Sequence, residues 1–277
     1  MNVFIVGSGK VGRALTRALT AAGHSVRIVS ARRSLPAVTE ETDLVILAVR
    51  DGMLDVLARR LARAGSVPRR AAVIHVAGAL GPDVLAPLRP FCGGVGQAHP
   101  LASFASTRRP PDLKGALLLV RGDPLALRRS RELGRALGMV ARTWPAVDAA
   151  SYHAAAALAA GGAVALLAAA ASMLESAGAP RREAVTALAK LLGTSVGNVE
   201  RLGLPAALTG PIRRGDASTV RRHLAAFRSQ AAEIKDVYLA TARLQLALAR
   251  ELGEVPAKDL EAVRDLLQGR SRRPPRV

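Results

Sequence analysis

From its first residues the chain alternates short apolar runs with stretches of helical periodicity. Asn2 to Val6 (NVFIV) reads as a strand ending at a glycine. Lys10 to Ala22 places its apolar residues on one helical face before Gly23 closes it. The alternation continues with predicted strands at Ser25–Ser30, Asp43–Val49, Ala71–Val76, Val95–Ala98, Ala116–Val120 and Met139–Ala141, and predicted helices at Gly52–Ala64 and Pro124–Leu137. Asp43 to Val49 is apolar on both faces, as a parallel strand covered by helices must be. Strands alternating with helices predict an α/β domain built on a parallel sheet.

After Trp144-Pro145 only helical patterning remains, at Asp148–Ala177, Arg181–Val199, Thr219–Phe227 and Ala231–Leu252. The expected organisation is a parallel-sheet domain over residues 1–146, an all-helical domain over residues 147–268, and a basic, proline-broken tail over residues 269–277 that is expected to be disordered. The stretch from Ala154 to Leu174 has no charged residue and is long enough to span a bilayer. It is mostly alanine, which carries little apolar area, so it is expected to be buried on all sides in a protein core rather than in a membrane. A helical domain of this size has few helices to cover it, which predicts a homodimer built on these helices.

Composition changes this picture little. The formal net charge is +19, but basic residues are scattered and aromatics make up only 3%. A stripe of charge interleaved with stacking rings is missing, so no specific nucleic-acid partner is expected. Cys92 is the single cysteine, so no internal disulfide and no cysteine metal cluster can form, and no metal is expected. The opening run Val3 to Val6 is too short for a signal peptide and runs into glycines. A reducing, cytoplasmic setting is the expectation.

The first chemical motif is Gly7-Ser8-Gly9-Lys10-Val11-Gly12, a full G-x-G-x-x-G between a predicted strand and the helix it opens. In that context the glycines have separate tasks: Gly7 makes the tight turn, Gly9 lets the backbone approach a pyrophosphate, and Gly12 lets helix and strand pack closely. Free N–H groups and the positive end of the helix dipole then face the phosphates. A dinucleotide is the implied cofactor. The second strand ends in Ser30-Ala31-Arg32-Arg33 with no acid to bind a ribose 2′-hydroxyl. Ser30, Arg32 and Arg33 instead suit a 2′-phosphate, so NADP is expected over NAD.

In a doubly wound sheet, ligands lie beyond the carboxyl ends of the strands. That rule adds Ala48, Val49 and Arg50 after the third strand and Ala77 and Gly78 after the fourth to the cofactor set. It nominates His75 and Ser103 as substrate contacts, and the separate loop Leu208 to Asp216 offers Thr209 and Arg214 to hold a polar or anionic substrate. Histidine is the natural proton donor near neutral pH. His99 ends a strand, and Tyr152-His153 opens the long apolar helix, so His153, His99 and Tyr152 are the catalytic candidates, with His153 first.

GSGKVG at Gly7, AHPLASFA at Ala98, YHAAAALAA at Tyr152 and ALTGPIRRGD at Ala207 together resemble the family that joins a Rossmann-like NADP-binding domain to a helical domain of unknown function 2520. That family is similar to pyrroline-5-carboxylate reductase, ketopantoate reductase and 6-phosphogluconate dehydrogenase. The resemblance implies a Rossmann-type domain followed by a helical domain like the carboxyl-terminal one of 6-phosphogluconate dehydrogenase. It also implies a dimer, and an NADP-dependent oxidoreductase moving hydride to a C=O or C=N group of a small molecule. Members usually carry serine where this chain has Ala77 and asparagine near Gly161. These departures keep a second expectation open, a non-catalytic NADP(H)-binding sensor or regulator.

Overall fold

The protein is described by a computed structural model that covers residues 1–32 and 38–269. Arg33 and residues 270–277 of the basic tail lie outside the described residues. The chain separates into two compact units, Met1–Ala160 and Gly161–Val277.

The first unit is a seven-stranded sheet in the order β2-β1-β3-β4-β5-β6-β7. Its strands are β1 (Asn2–Val6), β2 (Ser25–Val29), β3 (Leu44–Leu47), β4 (Ala72–His75), β5 (Gly94–Pro100), β6 (Leu117–Gly122) and β7 (Val140–Arg142). The helices are α1 (Lys10–Ala21), α2 (Leu54–Ala64) and α3 (Pro124–Ala136), and α4 (Ala149–Ser176) begins in this unit. β3 and β4 are buried at every position, which is why they read as unbroken apolar runs. One face of the sheet packs Leu15 and Leu19 of α1 and Leu133 of α3 against Ile5, Ile46 and Ile74. The other packs Leu54, Leu57 and Leu61 of α2 with Leu85 and Leu88 of a 3-10 segment, Pro82–Phe91, against Phe4, Val45 and Val73. Each such side chain, taken fully out of water, stabilises the fold by about 1.5–3 kcal/mol.

All pairings are parallel except β5 with β6, which is antiparallel. Apart from this one pairing the sheet is the parallel one expected. No helix lies between Pro100 and Leu117 to carry a crossover, and without one the chain can only return antiparallel. The order places a switch point between β1 and β3: the chain leaves β1 towards β2 on one side and later enters β3 on the other. Gly7 and Ala48 sit there, at the carboxyl ends of the two strands.

The second unit holds the rest of α4 and four more helices, α5 (Arg181–Leu202), α6 (Ala217–Ala226), α7 (Ala232–Leu252) and α8 (Ala257–Leu267). Val220, Ala242, Leu246, Leu260 and Val263 form its core. Among the described residues α4 is the one helix long and apolar enough to cross a membrane, yet only 6% of its most apolar window is buried. The expectation that it is enclosed on all sides is therefore not met within this chain. Leu158 is 76% and Val164 69% exposed.

Candidate active site

The turn after β1 has the shape that its glycines require. Gly7 adopts φ +124°, and a Cβ there would lie 2.2 Å from the backbone oxygen of Ala48. A Cβ on Gly12 would lie 1.9 Å from the oxygen of Gly7, so α1 can start against the turn only with glycine at that position. Around Gly9 an added Cβ would meet nothing within 4 Å. Gly9 is the N-cap of α1 and no side chain caps the helix. The first N–H groups of α1 are thus open to an acceptor, as a pyrophosphate needs. These residues fit a dinucleotide.

Beside the turn lies a groove of about 850 Å³, bounded by Ser8 and by Ser30 and Arg32 at the end of β2. The serine and arginine expected at the 2′-phosphate thus share one groove with the fingerprint turn. Among the described side chains lining it, none is acidic. Sequence reasoning missed three of its arginines, Arg13, Arg17 and Arg108. The spacing of Arg13 and Arg17 on one face of α1 was a usable signal for two of them. The backbone N–H of Ala48 donates to the oxygen of Val6 at 2.8 Å at the switch point, and Arg50 is exposed just beyond it.

A second cavity, of about 650 Å³, brings together His99, Tyr152, His153 and Ser103, with Leu101, Trp144 and a row of α4 alanines as its apolar wall. His99 comes from the end of β5 and Tyr152-His153 from the first turn of α4. That helix start is held by two bonds: Arg121 donates to the backbone oxygen of Val147 at 2.6 Å, and Asp148 accepts the N–H of Ser151 at 2.7 Å. Nδ1 of His99 and the Tyr152 hydroxyl are 2.8 Å apart, with the rings edge to face at 5.4 Å. The Trp144 and Tyr152 rings also meet edge to face, with centroids 6.4 Å apart. The His99 and His153 rings are 6.2 Å apart.

Gly78 explains how the imidazoles converge. A Cβ there would sit 2.7 Å from Nδ1 of His153 and 2.8 Å from Nε2 of His99. Any larger residue would push into the space both rings use. Gly78 was expected among the cofactor contacts; here its absent side chain makes room for the histidines.

Electrostatics separates the three groups. Burial, then repulsion from His153, pushes the His99 imidazole down to about 4. Burial raises the Tyr152 phenol above its ordinary value. Both are neutral near pH 7. When Nδ1 of His99 accepts from the Tyr152 hydroxyl, its Nε2 carries the hydrogen and presents it towards Gly78 and His153. His153 is exposed. Because His99 in the folded chain titrates near 4 rather than 6.5, the unfolded chain binds more protons between those values, and stability falls as pH drops through that window. NMR titration is expected to place the His99 midpoint near pH 4 and His153→Ala to raise it. A midpoint at the ordinary histidine value contradicts this environment.

The other candidates divide. Ser103 lines the cavity and is exposed. His75 does not meet its expected role as a substrate contact. It is fully buried, with Nε2 3.0 Å from the oxygen of Gly81 and Nδ1 3.3 Å from the N–H of Ala77. Both ring nitrogens are spent on shaping the turn after β4. Gln97, fully buried on β5, was missed by sequence reasoning; it holds the same turn by donating to the oxygen of Ala77 at 2.8 Å. Thr209 and Arg214 are exposed in the second unit, between α5 and α6.

Comparison with known proteins agrees with this architecture. A Rossmann-like domain model matches residues 1–100, and the model of a domain of unknown function, DUF2520, matches residues 116–245. A solved structure of a Thermotoga maritima protein superposes with a TM-score of 0.68 at 19% identity, covering 91% of this chain and all of that one. The pyrroline carboxylate reductase of Plasmodium falciparum with NADP bound gives 0.58 at 13% identity, over 90% of this chain and 98% of that one. The imine reductase of Myxococcus stipitatus in complex with NADP+ gives 0.55 at 16% identity, over 91% and 93%. At these identities the likeness establishes the fold. No curated protein sequence matches the chain. The chain thus matches two domain models in succession, a Rossmann-like domain and then the domain of unknown function 2520.

Proposed function

We propose that this protein is an NADP-dependent oxidoreductase that transfers hydride to a C=O or C=N group of a small molecule. The observation that carries the reading is the convergence of His99, Tyr152 and His153 against Gly78. The cluster lies at the carboxyl ends of β4 and β5, in the same sheet as β1, which ends in an open dinucleotide turn. Bound NADPH supplies the hydride. Structural neighbours described as reductases with NADP bound support this choice of chemistry.

The chain's own residues would do the rest. The turn at Gly9 and the first N–H groups of α1 hold the pyrophosphate, and Ser30 and Arg32 hold the 2′-phosphate. Nε2–H of neutral His99 donates a hydrogen bond to the substrate oxygen or nitrogen, with Tyr152 fixing the tautomer. As hydride reaches the carbon, His153 passes its proton to that heteroatom and is reloaded from solvent, which its exposure permits. The described cavity residues include no Asp, Glu, Lys or Arg, so the part of the substrate resting there is apolar. Calorimetry tests the cofactor: NADPH is expected to bind about 10–100-fold more tightly than NADH, the worth of one charged hydrogen bond. Equal affinity contradicts the assignment.

A second reading, a non-catalytic NADP(H)-binding regulator, draws on Ala77 and Gly161, where polar side chains are missing. Tight NADPH binding with no turnover of any carbonyl or imine would favour it.

We also propose a homodimer built on α4 and α5. Alongside Leu158 and Val164 on α4, Leu191 and Leu202 of α5 are 61% and 60% exposed. Apolar surface on this scale needs a cover, and small residues along α4 allow a second copy to approach closely. Sedimentation is expected to show a dimer at micromolar concentration that Leu158→Glu with Val164→Glu converts to monomer. A wild-type monomer overturns the proposal.

A further inference from the structure

We infer that the segment following β5 supplies a second clamp on the cofactor's 2′-phosphate, with Arg108 as the contacting side chain and Arg17 as the residue that positions it. The inference rests on the NADP reading above and adds residues from a part of the chain remote from the fingerprint.

This segment contributes Thr107 and Arg108 to the lining of the groove that also holds Ser8, Ser30 and Arg32. The segment is tied to α1 by a bond between residues 91 apart: a terminal N–H of Arg17 donates to the backbone oxygen of Arg108 at 3.3 Å. It is also shaped locally. The Ser106 hydroxyl oxygen accepts the backbone N–H of Arg108 at 3.1 Å and that of Arg109 at 3.3 Å. Arg13, one turn before Arg17 on α1, is anchored by donating through Nε to the backbone oxygen of Ser8 at 2.9 Å. Its guanidinium is therefore held over the fingerprint turn.

The result is a groove with Arg13, Arg17, Arg32 and Arg108 in its lining and no carboxylate among the described residues there. Cations brought together this way repel one another until an anion enters. A phosphate monoester, carrying up to two charges and three acceptor oxygens, is the ligand that several guanidinium groups bind best. Ser30 and Arg32 follow β2, where a Rossmann domain places the adenosine ribose. The anion that fits is the phosphate on that ribose.

The test uses 2′,5′-ADP, which carries the 2′-phosphate but no nicotinamide, against 5′-AMP, which lacks that phosphate. Calorimetry on the wild type is expected to show 2′,5′-ADP binding at least tenfold more tightly. Arg108→Ala is expected to weaken 2′,5′-ADP about tenfold and leave 5′-AMP unchanged. Arg17→Ala should act in the same direction, while Arg17→Lys, which can still donate to the Arg108 oxygen, retains most of the preference. A wild type that prefers 2′,5′-ADP with an Arg108→Ala variant that keeps the full preference overturns the clamp and leaves the NADP reading standing. So does an Arg108→Ala variant that weakens both ligands equally, because the loss is then structural. A wild type that does not distinguish the two ligands overturns the NADP reading and the clamp together.

Discussion

Replacing His99 and His153 together by alanine is expected to slow NADPH oxidation by about 10²–10⁴-fold, the usual worth of a positioned proton donor, while NADPH affinity changes by no more than a few fold. The expectation follows from where the two rings sit. Both meet at Gly78, and neither touches the fingerprint turn or the arginine groove. The single variants should divide the effect. His153→Ala removes the proton carrier that solvent can recharge. His99→Ala removes the neutral donor and its bond to Tyr152. Because these groups act as a unit, the double variant should cost less than the product of the singles. Stopped-flow measurement of NADPH consumption alongside equilibrium binding reads both quantities. Full turnover by the double variant would remove the imidazoles from the mechanism.

Gly9→Val is expected to abolish tight NADPH binding, by about 100-fold or more, without unfolding the protein. Nothing lies within 4 Å of a Cβ at Gly9, and its backbone is extended, so the side chain is accommodated by the protein alone. It would fill the space through which a pyrophosphate reaches the first N–H groups of α1. Losing two hydrogen bonds to a charged group accounts for a drop of that size. Gly12→Ala provides the contrast. Its Cβ meets the Gly7 backbone oxygen at 1.9 Å, so turn and helix must move apart and thermal stability falls along with binding. Calorimetry and thermal melting of the two variants separate a blocked site from a broken one. Undiminished NADPH affinity in Gly9→Val would contradict a pyrophosphate at this turn.

Much of this architecture was legible in the residues. The run Asp43 to Val49, apolar on both faces, announced a central strand, and β3 is buried throughout. The fingerprint was legible because Gly7 and Gly12 answer to local steric demands of the turn, while Gly9 leaves the space beside it open. Features that depend on distant contacts were less visible. The antiparallel β5–β6 pairing follows from a missing crossover helix. The Pro82–Phe91 segment is rich in proline and carries no clear period. Helix α8 was overlooked, although Leu260, Val263 and Leu267 mark a helical stripe and are buried.

At the site, His99, Tyr152 and His153 were found by the strand-end rule and by their place at a helix start. His75 satisfied the same rule, but its ring nitrogens are consumed by Gly81 and Ala77, and no spacing argument separates a strand-end histidine facing the cavity from one turned inward. Arg108 was out of reach for a similar reason, because a bond across 91 residues leaves no local pattern. The uncharged stretch of α4 was legible as apolar, but its exposure within one chain was not, because burial depends on which distant segments pack against it.

The central claim is tested most directly by mixing the purified protein with NADPH and a panel of aldehydes, ketones, oxo acids and cyclic imines, and following loss of the reduced cofactor. The account predicts oxidation of NADPH, well above the rate with NADH, by at least one carbonyl or imine with an apolar body, and loss of that activity in the His99→Ala, His153→Ala double variant. NADPH that binds tightly and is oxidised by none of them, or oxidation that the double variant sustains at the wild-type rate, would contradict it.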